Sequence, residues 1–121
     1  MYVLGGHLTN SDSDFYAITV PAGASVRAEI IEGGSETCES NDIDSRLSFY
    51  NTANTSTPLT EDDDNGRGYC SLLDGTGGTP SNPPAHNLAA GTYYLQVRAS
   101  VVSQSGTAGQ FDYRLVVTIR P

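Results

Sequence analysis

The fold class of this chain follows from one stretch near its end, Phe111-Asp112-Tyr113-Arg114-Leu115-Val116-Val117-Thr118-Ile119. Its odd-numbered residues are all large and apolar. Apart from Val116, its even-numbered residues are polar. Successive side chains of a β-strand point to opposite faces of the sheet. The alternation therefore predicts a strand with one buried and one solvated face, as in an antiparallel sheet.

Four earlier segments show the same two-residue period. They are Phe15–Val20, Ser25–Glu32, Arg46–Asn51 and Thr92–Ala99. Segments rich in Gly, Pro, Asn and Ser separate them and are predicted to be loops. These are Gly33–Asn41, Asn51–Thr57, Ser103–Gly109 and Asp74–Asn87, the last expected to lack regular structure. Many short strands between frequent turns predict an all-β protein, an antiparallel β-sandwich of the jelly-roll type.

Length and charge limit what the chain can be. Its 121 residues are predicted to form one domain over residues 1–121. It has 14 acidic and 6 basic residues, a formal net charge of −8, and no lysine. An acidic domain repels phosphate backbones and anionic membrane surfaces, so neither nucleic acid nor a membrane is an expected partner. No apolar stretch approaches the roughly 20 residues of a membrane span.

Two cysteines, Cys38 and Cys70, are the smallest number that can form a disulfide, and neither lies in a CxxC motif. A metal site would need further Cys or His residues at close spacing. We predict a Cys38–Cys70 disulfide, which places the domain in an oxidising, secreted environment. The alternative is a pair of free buried thiols.

A hairpin would bring these cysteines together. Residues 44–50 and 58–64 resemble its two arms, and pairing Tyr50 with Pro58 places Asp44 opposite Asp64. The same register places Cys38 opposite Cys70, near the distance that a disulfide requires.

The acidic run Glu61–Gly66 is the most unusual local feature. In the predicted hairpin it lies beside two further aspartates, and Ca²⁺ prefers such carboxylate and amide oxygens. The candidate calcium ligands are Asp42, Asp44, Asp62, Asp63, Asp64 and Asn65. The spacing is not that of an EF-hand. The alternatives are a solvated acidic loop, or ion pairs with Arg46 and Arg67.

The sequence carries no recognisable catalytic constellation. It contains neither a GxSxG nor an HExxH motif. The two histidines, His7 and His86, lie far apart, and neither accompanies a nucleophile motif. We therefore expect a protein that is not an enzyme.

Five short motifs, in order, resemble the bacterial pre-peptidase C-terminal domain family. They are Asp12-Ser13-Asp14-Phe15-Tyr16 with Ala22-Gly23; Asp44-Ser45-Arg46-Leu47-Ser48-Phe49-Tyr50; Asp63-Asp64-Asn65-Gly66; Leu88-Ala89-Ala90-Gly91-Thr92-Tyr93-Tyr94; and Tyr113-Arg114-Leu115-Val116-Val117. The resemblance covers nearly the whole chain. It implies a jelly-roll sandwich attached C-terminally to the catalytic domain of a secreted protease.

The resemblance also implies an accessory or binding role. Similar domains of collagenases bind collagen through exposed aromatic residues and calcium through an acidic segment that residues 1–8 of this chain lack. The expected partners are the parent catalytic domain in cis and an extracellular protein or polysaccharide. Tyr69 and Tyr94 are the candidate ligand-binding residues, unless they serve only strand packing. The alternatives are a carbohydrate-binding module, which the absence of Trp disfavours, and a structural spacer or adhesion domain.

Overall fold

The computed structural model describes residues 2–8, 13–32, 45–63, 65–66, 70–99 and 111–121. These residues form eight strands and one short 3₁₀ turn, Pro83–Ala85. The strands are β1 (Tyr2–Leu8), β2 (Ser13–Val20), β3 (Ser25–Glu32), β4 (Ser45–Asn51), β5 (Thr60–Asp62), β6 (Leu72–Asp74), β7 (Gly91–Ala99) and β8 (Phe111–Arg120). Within the described ranges, no helix is long and apolar enough to cross a membrane.

The strands form two four-stranded sheets. One sheet has the order β1-β8-β3-β6 and the other has the order β2-β7-β4-β5. All pairings are antiparallel. The first and last strands are neighbours, and the chain passes repeatedly from one sheet to the other, which is the connectivity of an eight-stranded jelly roll. The predicted fold class is confirmed.

The core lies between the two sheets and is built by the alternation seen in the sequence. In β8, Tyr113, Leu115 and Val117 are at most 2% exposed. From the opposite sheet, the Phe49 and Tyr93 rings stack within the core, with their centroids 5.3 Å apart. Offset aromatic stacking of this kind adds to the stabilisation from buried apolar area.

A buried polar contact also connects the two sheets. The Tyr113 hydroxyl on β8 donates to Asp14 Oδ2 on β2 at 2.7 Å, and it lies 2.6 Å from the Tyr16 hydroxyl. Burial and these hydrogen bonds raise the pKa of Tyr113 far above its ordinary value. The phenol therefore stays protonated and acts as a donor to the carboxylate.

The hairpin of β4 and β5 forms, but its predicted register is wrong by one residue. Leu47 pairs with Asp62 and Phe49 pairs with Thr60, so Tyr50 cannot lie opposite Pro58. Pro58 has no N–H to contribute to the ladder, and the Leu59 N–H donates to the Phe49 carbonyl instead, at 2.6 Å. A shift of one residue exchanges the faces of every side chain on the strand.

The connection from β6 to β7 is more ordered than the sequence indicates. Residues 75–87 contain the 3₁₀ turn, and Asn82 and Ala85 are buried. The Asn82 side chain accepts from the Asp74 N–H and donates to Thr60 Oγ1 on the other sheet. The expectation that this loop lacks regular structure was therefore wrong, because one buried amide fixes it to both sheets.

Candidate binding face

The outer surface of the β2-β7-β4-β5 sheet carries a row of aromatic and amide side chains. In the pairing of these strands, Phe15 lies opposite Gln96, and Ala17 and Tyr50 lie on either side of Tyr94. Cross-strand partners share a face of the sheet. We call Phe15, Tyr50, Tyr94 and Gln96 the aromatic face.

Phe15 is the exposed member of this face. It is 53% exposed to solvent. Its ring centroid lies 6.0 Å from that of Tyr50, with the planes tilted by 43°. Tyr50 is buried, and its hydroxyl donates to Gln96 Oε1 at 2.7 Å. Phe15 therefore presents apolar area to solvent above side chains that are already fixed.

An ion-pair cluster adjoins the aromatic face at the β4–β5 end. Glu61 Oε2 accepts from Arg46 Nε at 3.0 Å, Ser48 Oγ at 2.9 Å and Arg98 Nη2 at 3.2 Å. Desolvation acts to raise the pKa of Glu61, but the hydrogen bonds from Arg46, Ser48 and Arg98 outweigh it, so the pKa lies below its ordinary value. Glu61 therefore holds two guanidinium groups together on this surface, and Asp63 adds a second negative charge near Arg46.

The acidic run is divided by the strand pleat. Glu61 faces outward to the arginines, as the alternative of ion pairs with Arg46 anticipates. Asp62 faces inward beside Leu47, is 9% exposed, and accepts the backbone N–H groups of Asn65 and Leu72 at 3.0 and 2.8 Å. Its carboxylate thus stabilises the turn between β5 and β6, as Asp side chains commonly do.

The remaining predicted calcium ligands are not gathered by the described part of the chain. Asn65 is exposed and Asp63 is half-buried, while Asp42, Asp44 and Asp64 lie outside the described residues. Among the residues that can be examined, no group of three or more His, Cys, Asp or Glu side chains is placed to hold a metal ion. The calcium site stays a prediction.

The segment that contains Cys70 is tightly packed. Cys70 is fully buried, and the described ranges contain no free cysteine. Its carbonyl accepts the Gly66 N–H at 2.9 Å, and a Cβ added at Gly66 would lie only 2.9 Å from that oxygen. Cys38 lies outside the described residues, so the Cys38–Cys70 pairing stays a prediction.

The other candidate residues are placed as follows. Tyr94 is half-buried on the aromatic face, and Tyr69 lies outside the described residues. Sequence reasoning overlooked the exposed Phe15 and the buried Tyr50 beneath it as members of this face. Strand parity could have identified Phe15, because Tyr16, Ile18 and Val20 turn inward and so direct it outward.

His86 is bound to backbone rather than arranged as a base. Its Nδ1 lies 2.8 Å from the Gly75 carbonyl and 3.1 Å from Ser25 Oγ. A carbonyl only accepts, so Nδ1 carries a proton and cannot take one from Ser25. The Ser25–His86 contact therefore cannot operate as a nucleophile–base pair.

The fold and this face define the class of the protein as an antiparallel, jelly-roll β-sandwich module. The sequence model of one such group, the bacterial pre-peptidase C-terminal domain, matches residues 12–99. The chain belongs to that family, which confirms the resemblance seen in the sequence. Domains of this family are non-catalytic C-terminal domains of bacterial proteases.

Solved structures show the same fold. The pre-peptidase C-terminal domain of a collagenase from Bacillus anthracis aligns over 97% of this chain and 88% of its own, with 17% identity and a TM-score of 0.60. PliG from Aeromonas hydrophila, a periplasmic inhibitor of g-type lysozyme, aligns over 98% of this chain and 85% of its own, with 21% identity and a TM-score of 0.61. No curated protein matches the chain.

Proposed function

We propose that this domain is a non-catalytic accessory module of a secreted bacterial protein, attached in cis to a protease domain, and that it binds a protein surface through the aromatic face. The observation that carries the proposal is the exposed Phe15 ring packed beside the fixed Tyr50 ring. Preorganised aromatic groups lose little conformational entropy when a partner covers them.

The composition of the face favours a protein over a polysaccharide. Tyr, Phe and Arg are enriched at the centres of protein interfaces. The aromatic face places Phe15 and Tyr94 close to the paired Arg46 and Arg98. The chain contains no Trp, the broad ring that sugar-binding platforms favour. One structural neighbour is itself named as an inhibitor of a protein, which is consistent with this fold presenting a protein-binding surface.

The binding test compares immobilised collagen, gelatin and an insoluble polysaccharide as targets. Phe15→Ala is expected to weaken binding to the protein target about 30-fold, the effect of losing a central aromatic contact. Thr19→Ala is the matched control, because Thr19 is also exposed on β2 but lies toward the other end of the strand. Thermal unfolding of each variant verifies that the fold is intact.

Three other results of this test would contradict the proposal. Retention on the polysaccharide alone would indicate a carbohydrate-binding module. Binding that Phe15→Ala leaves unchanged would remove the aromatic face from the interface. Failure of the wild-type domain to bind any target would favour a spacer or adhesion domain.

We also propose that Cys38 and Cys70 form a disulfide, as expected of a secreted domain. The buried position of Cys70 and the lack of a free cysteine in the described ranges support this pairing. Closing a loop of this length stabilises a protein by about 3–4 kcal/mol on the chain-entropy model. Reductant is therefore expected to lower the melting temperature, and equal melting temperatures with and without reductant would contradict the proposal.

We retain calcium binding by the acidic run as a proposal, supported by its adjacent carboxylates. Calorimetric titration with Ca²⁺ is expected to release or absorb heat in the wild type and to lose that signal in Asp44→Ala and Asp64→Ala. No heat in the wild type, together with identical unfolding in Ca²⁺ and EDTA, would remove calcium from the description of the domain.

A further inference from the structure

A second candidate site, which is concave, lies on the other sheet, away from the aromatic face. It is a cleft of about 360 Å³, within the range of small-molecule sites. Its polar lining comes from β3, the end of β8 and the loop of residues 75–87. The lining includes Ser25, Thr76, His86, Asn87, Arg120 and Pro121.

Strand pairing and one close backbone approach build the cleft. Ser25 is paired with Arg120 between β3 and β8, so their side chains share a face. Gly75 lies against Ala85, where an added Cβ would come within 2.2 Å of the Ala85 carbonyl group. This contact brings the loop over the sheet, and the Asn87 N–H donates to Ser25 Oγ at 3.0 Å. The cleft is therefore preformed.

The hydrogen bonds already made within the cleft determine which donors remain available to a ligand. His86 Nδ1–H is committed to the Gly75 carbonyl, which leaves Nε2 without a partner in the described ranges. Ser25 Oγ accepts from the Asn87 N–H and cannot donate to the protonated Nδ1. The Ser25 hydroxyl can therefore donate into the cleft.

The charge of the cleft is opposite to that of the domain. In the described ranges, no Asp or Glu side chain lines it, and Arg120 has no ion-pair partner. Asp74 is the carboxylate closest in sequence to Thr76 of the cleft. It accepts the Thr76 N–H and pairs with Arg27 at 3.6 Å. The net charge of −8 is screened beyond roughly 8 Å at physiological salt. Among the side chains of the described ranges, the Arg120 guanidinium therefore supplies the charge of the cleft.

We infer that this cleft binds a small oxyanion, such as a carboxylate or sulfate group, between the Arg120 guanidinium and the Ser25 hydroxyl, beside the His86 ring. Arg presents a fork of N–H donors that matches carboxylate and sulfate geometry.

The test is an NMR titration of the full chain with sodium sulfate and, separately, sodium acetate. The two anions distinguish tetrahedral from planar ligands. Amide shifts at Ser25, His86 and Arg120 that saturate with at least one of the two anions are expected. If neither anion shifts these amides, the inference is overturned.

Matched variants separate a specific site from general charge. Arg120→Gln is expected to weaken sulfate binding about tenfold, and Arg114→Gln, the same charge change earlier on the same face of β8, is expected to leave it unchanged. Equal effects of the two arginine variants would overturn the inference. Loss of sulfate binding in a variant with a neutral Gly-Ser tail after Pro121 would also overturn the inference.

Discussion

Removing the Tyr113 hydroxyl tests whether the contact between the sheets stabilises the fold. Tyr113→Phe keeps the buried ring but deletes the hydrogen bond to Asp14 Oδ2 and the contact with the Tyr16 hydroxyl. A hydrogen bond to a charged group contributes roughly 1.5–3 kcal/mol, and a neutral one contributes about 1 kcal/mol. Asp14 is half-buried and regains some hydration after the change. The expected loss in the free energy of unfolding is about 2–3 kcal/mol.

Urea unfolding measures this loss directly, and a melting scan should show a decrease of about 8–12 °C for a domain of this size. Tyr50→Phe is the matched control, because its hydroxyl makes one neutral hydrogen bond on the outer face and should contribute about 1 kcal/mol. In a double-mutant cycle with Asp14→Asn, the coupling energy should exceed about 1 kcal/mol. If Tyr113→Phe proved no more destabilising than Tyr50→Phe, the reasoning about this contact would be refuted.

Three further changes probe other parts of the fold. Glu61→Gln should destabilise the domain by about 1 kcal/mol at neutral pH. Because the folded pKa of Glu61 is lowered, this difference in stability should be lost progressively as the pH falls below about 4.5, which acid titrations of stability measure. Gly75→Ala should lower the free energy of unfolding by about 2–4 kcal/mol, because its Cβ overlaps Ala85, whereas Gly78→Ala, in open space, should be nearly neutral in the same urea assay. Asp62→Ala should lower the free energy of unfolding by about 2–3 kcal/mol, equally in Ca²⁺ and in EDTA, because its carboxylate accepts backbone N–H groups. A loss of stability seen only in Ca²⁺ would instead make Asp62 a metal ligand.

The sequence predicted every strand of the β2-β7-β4-β5 sheet but missed β1 and β6, the two edge strands of the other sheet. β8 and β3 were predicted because their alternation is nearly uninterrupted. β1 was missed because Gly5 and Gly6 interrupt its pattern, and β6 was missed because three residues cannot display a period. The register error arose at Pro58, where the absence of an N–H moves the first ladder hydrogen bond to Leu59.

The two candidate sites differ in how far the sequence could predict them. The aromatic face was within reach, because strand parity directs Phe15 and Tyr94 outward once Tyr16 and Tyr93 are assigned to the core. The cleft was not, because Ser25, His86 and Arg120 are distant in sequence and meet only through the pairing of β3 with β8. A local pattern cannot encode a site that depends on the order of strands in a sheet.

The acidic run shows why a cluster of like charges along a sequence need not be one site. The pleat directs Glu61 outward to Arg46 and Arg98, and directs Asp62 inward to two backbone amides. Neighbouring carboxylates in a strand therefore serve different purposes: one holds two arginines beside the aromatic face, and the other holds the turn after β5. The first two carboxylates of the run already have cationic or amide donors, so a cation in this region would depend mainly on the other predicted ligands, such as Asp44 and Asp64.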